Sequence, residues 1–156
     1  MPPPITTVLR TDSSNDDFQT LVTFLDAELQ VRDGEEHPFY AQFNKLTNIK
    51  HVLLAYADNH AVGCGAFRSF TTETVEIKRM YVRPEYRGRG IASFVLTGLE
   101  AWARESGYSG CVLETGYNQP EAIALYKKSG YQVIPNYGPY DKIANSICFG
   151  KVLTTN

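Results

Sequence analysis

The chain has 156 residues, 43% of them hydrophobic and 21% charged, with a formal net charge of -2. That length suits one domain over residues 1–156, able to bury a core without metal or disulfide staples. The balance excludes an intrinsically disordered chain, and the slight acidic excess excludes nucleic-acid or acidic-membrane binding driven by net charge.

The amino terminus opens on Met1 and three prolines, without the charged start and apolar run of a secretory leader. Ile5 to Arg10 reads as a first strand. Ser13, Ser14 or Asn15 can cap a helix whose apolar stripe is Phe18, Leu21, Val22, Leu25 and Leu29. Asp33-Gly34-Glu35-Glu36 breaks it, and a short second helix is expected over Pro38 to Lys45. Three strands follow in an antiparallel meander: His51 to Ala57, a turn at Asp58-Asn59-His60, Val62 to Phe70, and Thr74 to Val82. Gly63 and Gly65 permit close packing against the middle strand. A loop from Arg83 to Gly90 leads to a helix over Ile91 to Glu105, in which Ile91, Val95, Leu99 and Trp102 recur at helical spacing. Gly110 to Thr115 is a buried strand. Gln119-Pro120-Glu121 starts a last helix that Gly130 closes, and Tyr131 to Ile134 and Ser146 to Leu153 are the final strands. The sum is an α+β fold with a central mixed, mostly antiparallel sheet of about seven strands and about four helices.

Cys64, Cys111 and Cys148 are widely spaced beside apolar residues, with no Cys-x-x-Cys pair and no Cys/His ligand spacing. They read as reduced, buried thiols in a cytoplasmic protein, with no metal site. No apolar run reaches membrane-spanning length.

The stretch Glu76 to Ala92 carries the chemistry. A strand runs into an Arg/Gly loop, and the loop runs into a helix. First-turn N–H groups of such a helix lack intrahelical partners and, with the helix dipole, form an anion site. A Walker loop would need Lys-Ser/Thr after its second glycine, where Ile91-Ala92 stands. A dinucleotide fingerprint would need a third small residue where Phe94 stands.

Arg87-Gly88-Arg89-Gly90-Ile91-Ala92, led in by Met80 to Tyr86, resembles motif A of the GNAT superfamily of N-acetyltransferases. Ala122 to Tyr131 resembles motif B in the expected order and separation. The resemblance implies a sheet splayed between Thr74–Val82 and Gly110–Thr115, with acetyl-CoA as cosubstrate in the gap. Pantetheine would pair with the backbone of Met80, Tyr81 and Val82, and pyrophosphate would sit on the amides of Arg87, Gly88, Arg89, Gly90, Ile91 and Ala92. Gln119 stands where the family often has Asn, and its amide would bond pantetheine or cap the helix.

By the same resemblance Tyr126 would face the thioester sulfur, and the Met80 amide would hold the oxyanion. Otherwise Tyr126 is a half-buried helix tyrosine meeting water. Glu76, amid apolar strand residues, is the candidate general base; alternatively it is exposed and paired to Lys78 or Arg79. Glu114 is the second candidate. Arg87 and Arg89 either meet phosphate or are solvated, and His37, His51 and His60 have no metal or triad spacing. Arg32 to His37, with Phe39, Tyr40 and Asn44, and the loop Pro135 to Asp141 are expected to frame the acceptor. The expected reaction is acetyl transfer from acetyl-CoA to a primary amine, a small amine or amino acid. The alternatives are a protein lysine or N-terminal acetyltransferase and a non-catalytic acyl-CoA sensor. A homodimer stays open.

Overall fold

In the computed structural model, which describes residues 7–34 and 48–153, seven strands share one sheet. Strands β1 (Thr7–Thr11), β2 (His51–Ala57), β3 (His60–Ser69) and β4 (Thr74–Val82) run antiparallel in that order. Strand β5 (Gly110–Gly116) joins β4 in parallel; β7 (Ser146–Val152) pairs β5, and β6 (Gln132–Ile134) closes the edge. Three α-helices flank the sheet among the described residues: α1 (Asp16–Asp33), α2 (Ile91–Glu105) and α3 (Pro120–Lys128). The fourth helix expected over Pro38 to Lys45 lies outside those residues, as do Ile5 and Thr6 of the first strand.

Alternation along the strands divides the core in two. Val52, Leu54, Cys64 and Ala66 meet Phe18, Leu21, Val22 and Leu25 of α1 on one face. Leu53, Val62, Phe67 and Ile77 meet Ile91, Val95 and Leu99 of α2 on the other. Both faces of β2 and β3 are therefore covered, which explains their near-continuous apolar runs. Asn15 caps α1 by accepting from the Phe18 amide at 3.0 Å. The β2–β3 hairpin turns on Asp58 and Asn59, both left-handed (φ 51° and 65°), a conformation these residue types tolerate. At Gly65 a Cβ would lie 2.7 Å from Leu99 Cδ1, so the glycine admits α2 against the sheet.

Two irregularities position the site. The β3–β4 register shifts so that Cys64 faces Tyr81 while Ala66 faces Lys78, which leaves Arg79 and Met80 opposite Gly65 alone. Arg79 takes a left-handed φ of 60° to make this bulge. Strands β4 and β5 pair only from Thr74–Gly110 to Glu76–Val112 and then part, whereas β5 stays paired to β7 along its length.

No helix of the described residues is long and apolar enough to cross a membrane, and those residues hold no cluster of potential metal ligands. One polar network is buried at the far end of α2. Glu100, 5% exposed, accepts from the Tyr131 hydroxyl at 2.8 Å and from Lys151 Nζ at 2.9 Å. Lys151 also donates to the Ser129 carbonyl, so α2, the end of α3 and β7 meet on one carboxylate. Removing one member of a buried pair costs about 3–5 kcal/mol, and Lys151 recovers part by reaching water. Glu100→Ala should therefore lower the unfolding free energy by about 3 kcal/mol, read from urea denaturation with an unchanged m-value.

Candidate active site

Where β4 and β5 part, a cavity of about 640 Å³ opens, walled by β4, β5, the starts of α2 and α3, and the second half of α1. The loop ahead of α2 supplies one end. Pro84–Tyr86 forms a single 3-10 turn, and Gly88 and Gly90 follow with φ of 79° and 81°. A side chain at either would strain the backbone, whereas glycine adopts these values freely. Gly90 is the N-cap of α2 and offers no side chain, and the first helical bond runs from the Phe94 amide to the Gly90 carbonyl. The amides of Ile91, Ala92 and Ser93 thus lack intrahelical partners at the cavity wall.

Arginine side chains contribute less to this end than the motif suggests. Arg87 Nε donates to the Val82 carbonyl at 2.9 Å, and Nη2 donates to Glu28 at 2.8 Å. The guanidinium also lies over the Tyr81 ring, so it ties the loop to β4 and α1. Arg89 is exposed and is not among the residues lining the cavity.

Met80, Val82, Gly88, Gly90, Ile91, Ala92, Gln119 and Tyr126 all line the cavity. Tyr81 also reaches it while its ring packs in the core under α1. Gln119 starts α3 but its side chain makes no cap bond.

Opposite the loop lies a polar cluster. Glu76, 3% exposed, accepts from Arg68 Nε at 3.0 Å and from the Tyr137 hydroxyl at 2.7 Å, with Lys78 Nζ 3.8 Å away. The apolar setting expected for this carboxylate is replaced by two cations and a phenol. Of the two partners considered for Glu76, Lys78 is present and Arg79 turns instead to Asp26. Burial pushes the Lys78 ammonium below its usual range against the opposing pull of Glu76. Across the gap, Glu114 accepts from the Ser146 hydroxyl at 2.7 Å.

Tyr126 sits between these ends, 6% exposed, with its ring against Tyr131 and Phe149. Its hydroxyl has no hydrogen-bond partner among the described residues. Burial, then the negative charge of Glu114, pushes the phenol far above its ordinary value, so it keeps its proton at neutral pH.

Tyr137 stands in a segment that the sequence allows as connector or binding loop, and Arg68 and Ser146 carry no local signal of a site. Each reaches the cluster from a different strand or loop, and only the tertiary fold joins them. Arg32 donates to Glu121 at 2.6 Å, while Asn118 Nδ2 donates to the Arg32 carbonyl, tying the end of α1 to the start of α3. Glu35, Glu36, His37, Phe39, Tyr40 and Asn44 lie outside the described residues. His51 is remote from the cavity, stacked on Phe67 at 4.4 Å, and His60 is exposed in the hairpin.

The acetyltransferase (GNAT) family model matches residues 17–131. An IAA acetyltransferase of Azospirillum brasilense is 34% identical over 145 residues, covering 88% of this chain and 91% of that protein. A candidate acyl-CoA N-acyltransferase of Klebsiella pneumoniae superposes with a TM-score of 0.80 at 30% identity, covering 95% and 97% of the two chains. The PaiA N-acetyltransferase of Thermoplasma acidophilum, solved with coenzyme A, shares the fold at a TM-score of 0.69 and 18% identity, covering 94% and 98%. The chain belongs to the GNAT family of acetyltransferases. It is an acyltransferase.

The shielding of Tyr126 has a direct spectroscopic consequence. Among the ten tyrosines, Tyr126 should stay protonated at an ordinary tyrosine's pKa of about pH 10. Tyr126→Phe should therefore leave the tyrosinate absorbance curve of the folded protein unchanged up to that pH.

Proposed function

We infer that residues 1–156 act as one domain that transfers the acetyl group of acetyl-CoA to a small primary amine or amino acid. One observation carries this reading. A single cavity joins the unpartnered amides opening α2, the edge of β4 released by the splay, and a protonated phenol on α3. The name of the Azospirillum relative supports a small-molecule acceptor. Three free, buried cysteines support a reducing, cytoplasmic setting.

The residues divide the work as follows. Amides from Gly88 to Ala92 bind pyrophosphate, and two left-handed glycines let the backbone come close. Met80 and Val82 offer backbone groups to pantetheine as a neighbouring strand would. Glu76, or Glu114 across the gap, draws the ammonium and takes its proton, directly or through water. The freed amine attacks the thioester carbonyl, and the Met80 amide stabilises the oxyanion. As the C–S bond breaks, Tyr126 donates its hydroxyl proton to the departing sulfur. Gln119 borders the same cavity and contacts the pantetheine arm. Arg87 acts by holding the loop, and Arg89 adds positive charge outside the cavity.

Acetyl-CoA at one hundred times its Kd should stabilise the protein by about 2.7 kcal/mol. Gly90→Asp, which sets a carboxylate at the anion site, should abolish that shift while circular dichroism stays native. An undiminished shift in the variant removes the loop from cofactor binding.

Tyr126→Phe keeps the ring in its pocket and deletes the proton donor. It should lower kcat about 10²-fold with little change in calorimetric acetyl-CoA affinity. The assay is CoA release over a panel of amines, and an unchanged kcat rules the hydroxyl out of the mechanism.

A further inference from the structure

The bulge of β4 leaves an unexplained charge in the cavity wall. Arg79 lines the cavity and is 6% exposed, and its buried Nε and Nη1 have no hydrogen-bond partner among the described residues. Nη2 pairs with Asp26 at 3.0 Å, and that carboxylate is itself half in water. Buried guanidinium donors are satisfied in nearly all folds, and an exception beside a cavity marks unused binding capacity. The backbone of Arg79 adds to the oddity, since a residue with a side chain holds φ of 60° there.

Next to it Lys78 carries an ammonium whose side chain is 9% exposed. Its neighbour Glu76 is already engaged by Arg68 and Tyr137. Lys78 and Arg79 both line the cavity, and so do Glu76 and Glu114. Arg68, Lys78 and Arg79 balance Glu76, Glu114 and Asp26 in formal charge. A ligand that is itself neutral overall but bipolar fits this arrangement: its ammonium is drawn to the glutamates and its anion to Arg79 and Lys78.

We propose that the acceptor is an amine that also bears a carboxylate, and that Arg79, with Lys78 beside it, is the residue that binds this carboxylate. The inference rests on the acetyltransferase reading of the same cavity. Arg79 reaches the ligand by a small rotation of a guanidinium now held at one nitrogen only. Nε and Nη1 then donate to the carboxylate oxygens, and Asp26 keeps Nη2. The role is binding and selection; the acetyl transfer itself runs through other groups.

The test uses the full chain loaded with CoA and a set of α-amino acids, each paired with the amine left on removing its carboxylate. Binding is read by calorimetry and acetylation by CoA release with acetyl-CoA. Wild type should bind the carboxylate-bearing member at least about tenfold more tightly, the worth of a charge-assisted pair. Arg79→Gln should shrink that preference to about twofold or less through the carboxylate member alone. Arg79→Lys keeps a cation and a similar volume while deleting both orphan donors, and it should lose most of the preference too. Asp26→Asn removes the ionic partner that Arg79 has among the described residues and should retain or sharpen the preference. A merely structural Arg79–Asp26 pair predicts the opposite, equal damage from either side with no change in selectivity. Equal binding of both members by wild type, no binding of any carboxylate-bearing member, or parallel losses in Arg79 and Asp26 variants overturns the proposal. Acetylation without carboxylate preference sinks this inference alone. A carboxylate preference without acetylation of any amine sinks the catalytic reading and leaves this one standing.

Discussion

The site depends on one departure from regular pairing, the extra residue in β4 opposite Gly65. A regular β4 would continue alongside β5 to the end of both strands, and every backbone group between them would be consumed in the ladder. The bulge bends β4 away after Glu76, and the backbone beyond it is released without any loss to β5, which keeps its bonds to β7. The cavity therefore exists without breaking the core. Hydrophobic packing on both faces of β2 and β3 bears the structure, and the site occupies the seam where β4 and β5 give up their pairing.

From that opening the chemistry sorts itself by location. The loop end is built from backbone, with glycines that remove steric obstruction and amides that a helix start cannot satisfy internally. The strand end is built from side chains of both charge signs, drawn from β3, β4, β5, β7 and the segment before β7. Tyr126 is a buried part of the same wall. Its burial keeps the phenol neutral, the form able to give up a hydrogen bond as charge appears on a neighbouring atom.

Much of this was legible in the sequence, for identifiable reasons. Glycines at 88 and 90 and the apolar period of Ile91 to Trp102 are local signals, and each predicts its element without reference to the rest of the chain. Asp58-Asn59 and Asn15 are likewise local. The surroundings of Glu76 were not legible, because its partners Arg68 and Tyr137 stand 8 and 61 residues away in sequence. The Arg87 side chain stays open between phosphate and solvent in the sequence, because motifs record residue type and not direction. Its turn toward Glu28 depends on where α1 crosses the loop. The bulge at Arg79 left no trace in the pattern, since an arginine in left-handed backbone is not what a turn signal looks like.

The glycines of β3 have a consequence for how the protein handles its cosubstrate. A Cβ at Gly63 would meet Ile91 at 2.9 Å, and one at Gly65 would meet Leu99, so α2 is seated along β3 at two points. The same strand faces the bulge of β4. The anion site at the start of α2 and the released edge of β4 are consequently parts of one stiff unit, and the span between them does not adjust. Such a unit works as a ruler: a thioester whose arm is shorter than that span cannot place its phosphate and its carbonyl at both ends together, however well either end fits alone.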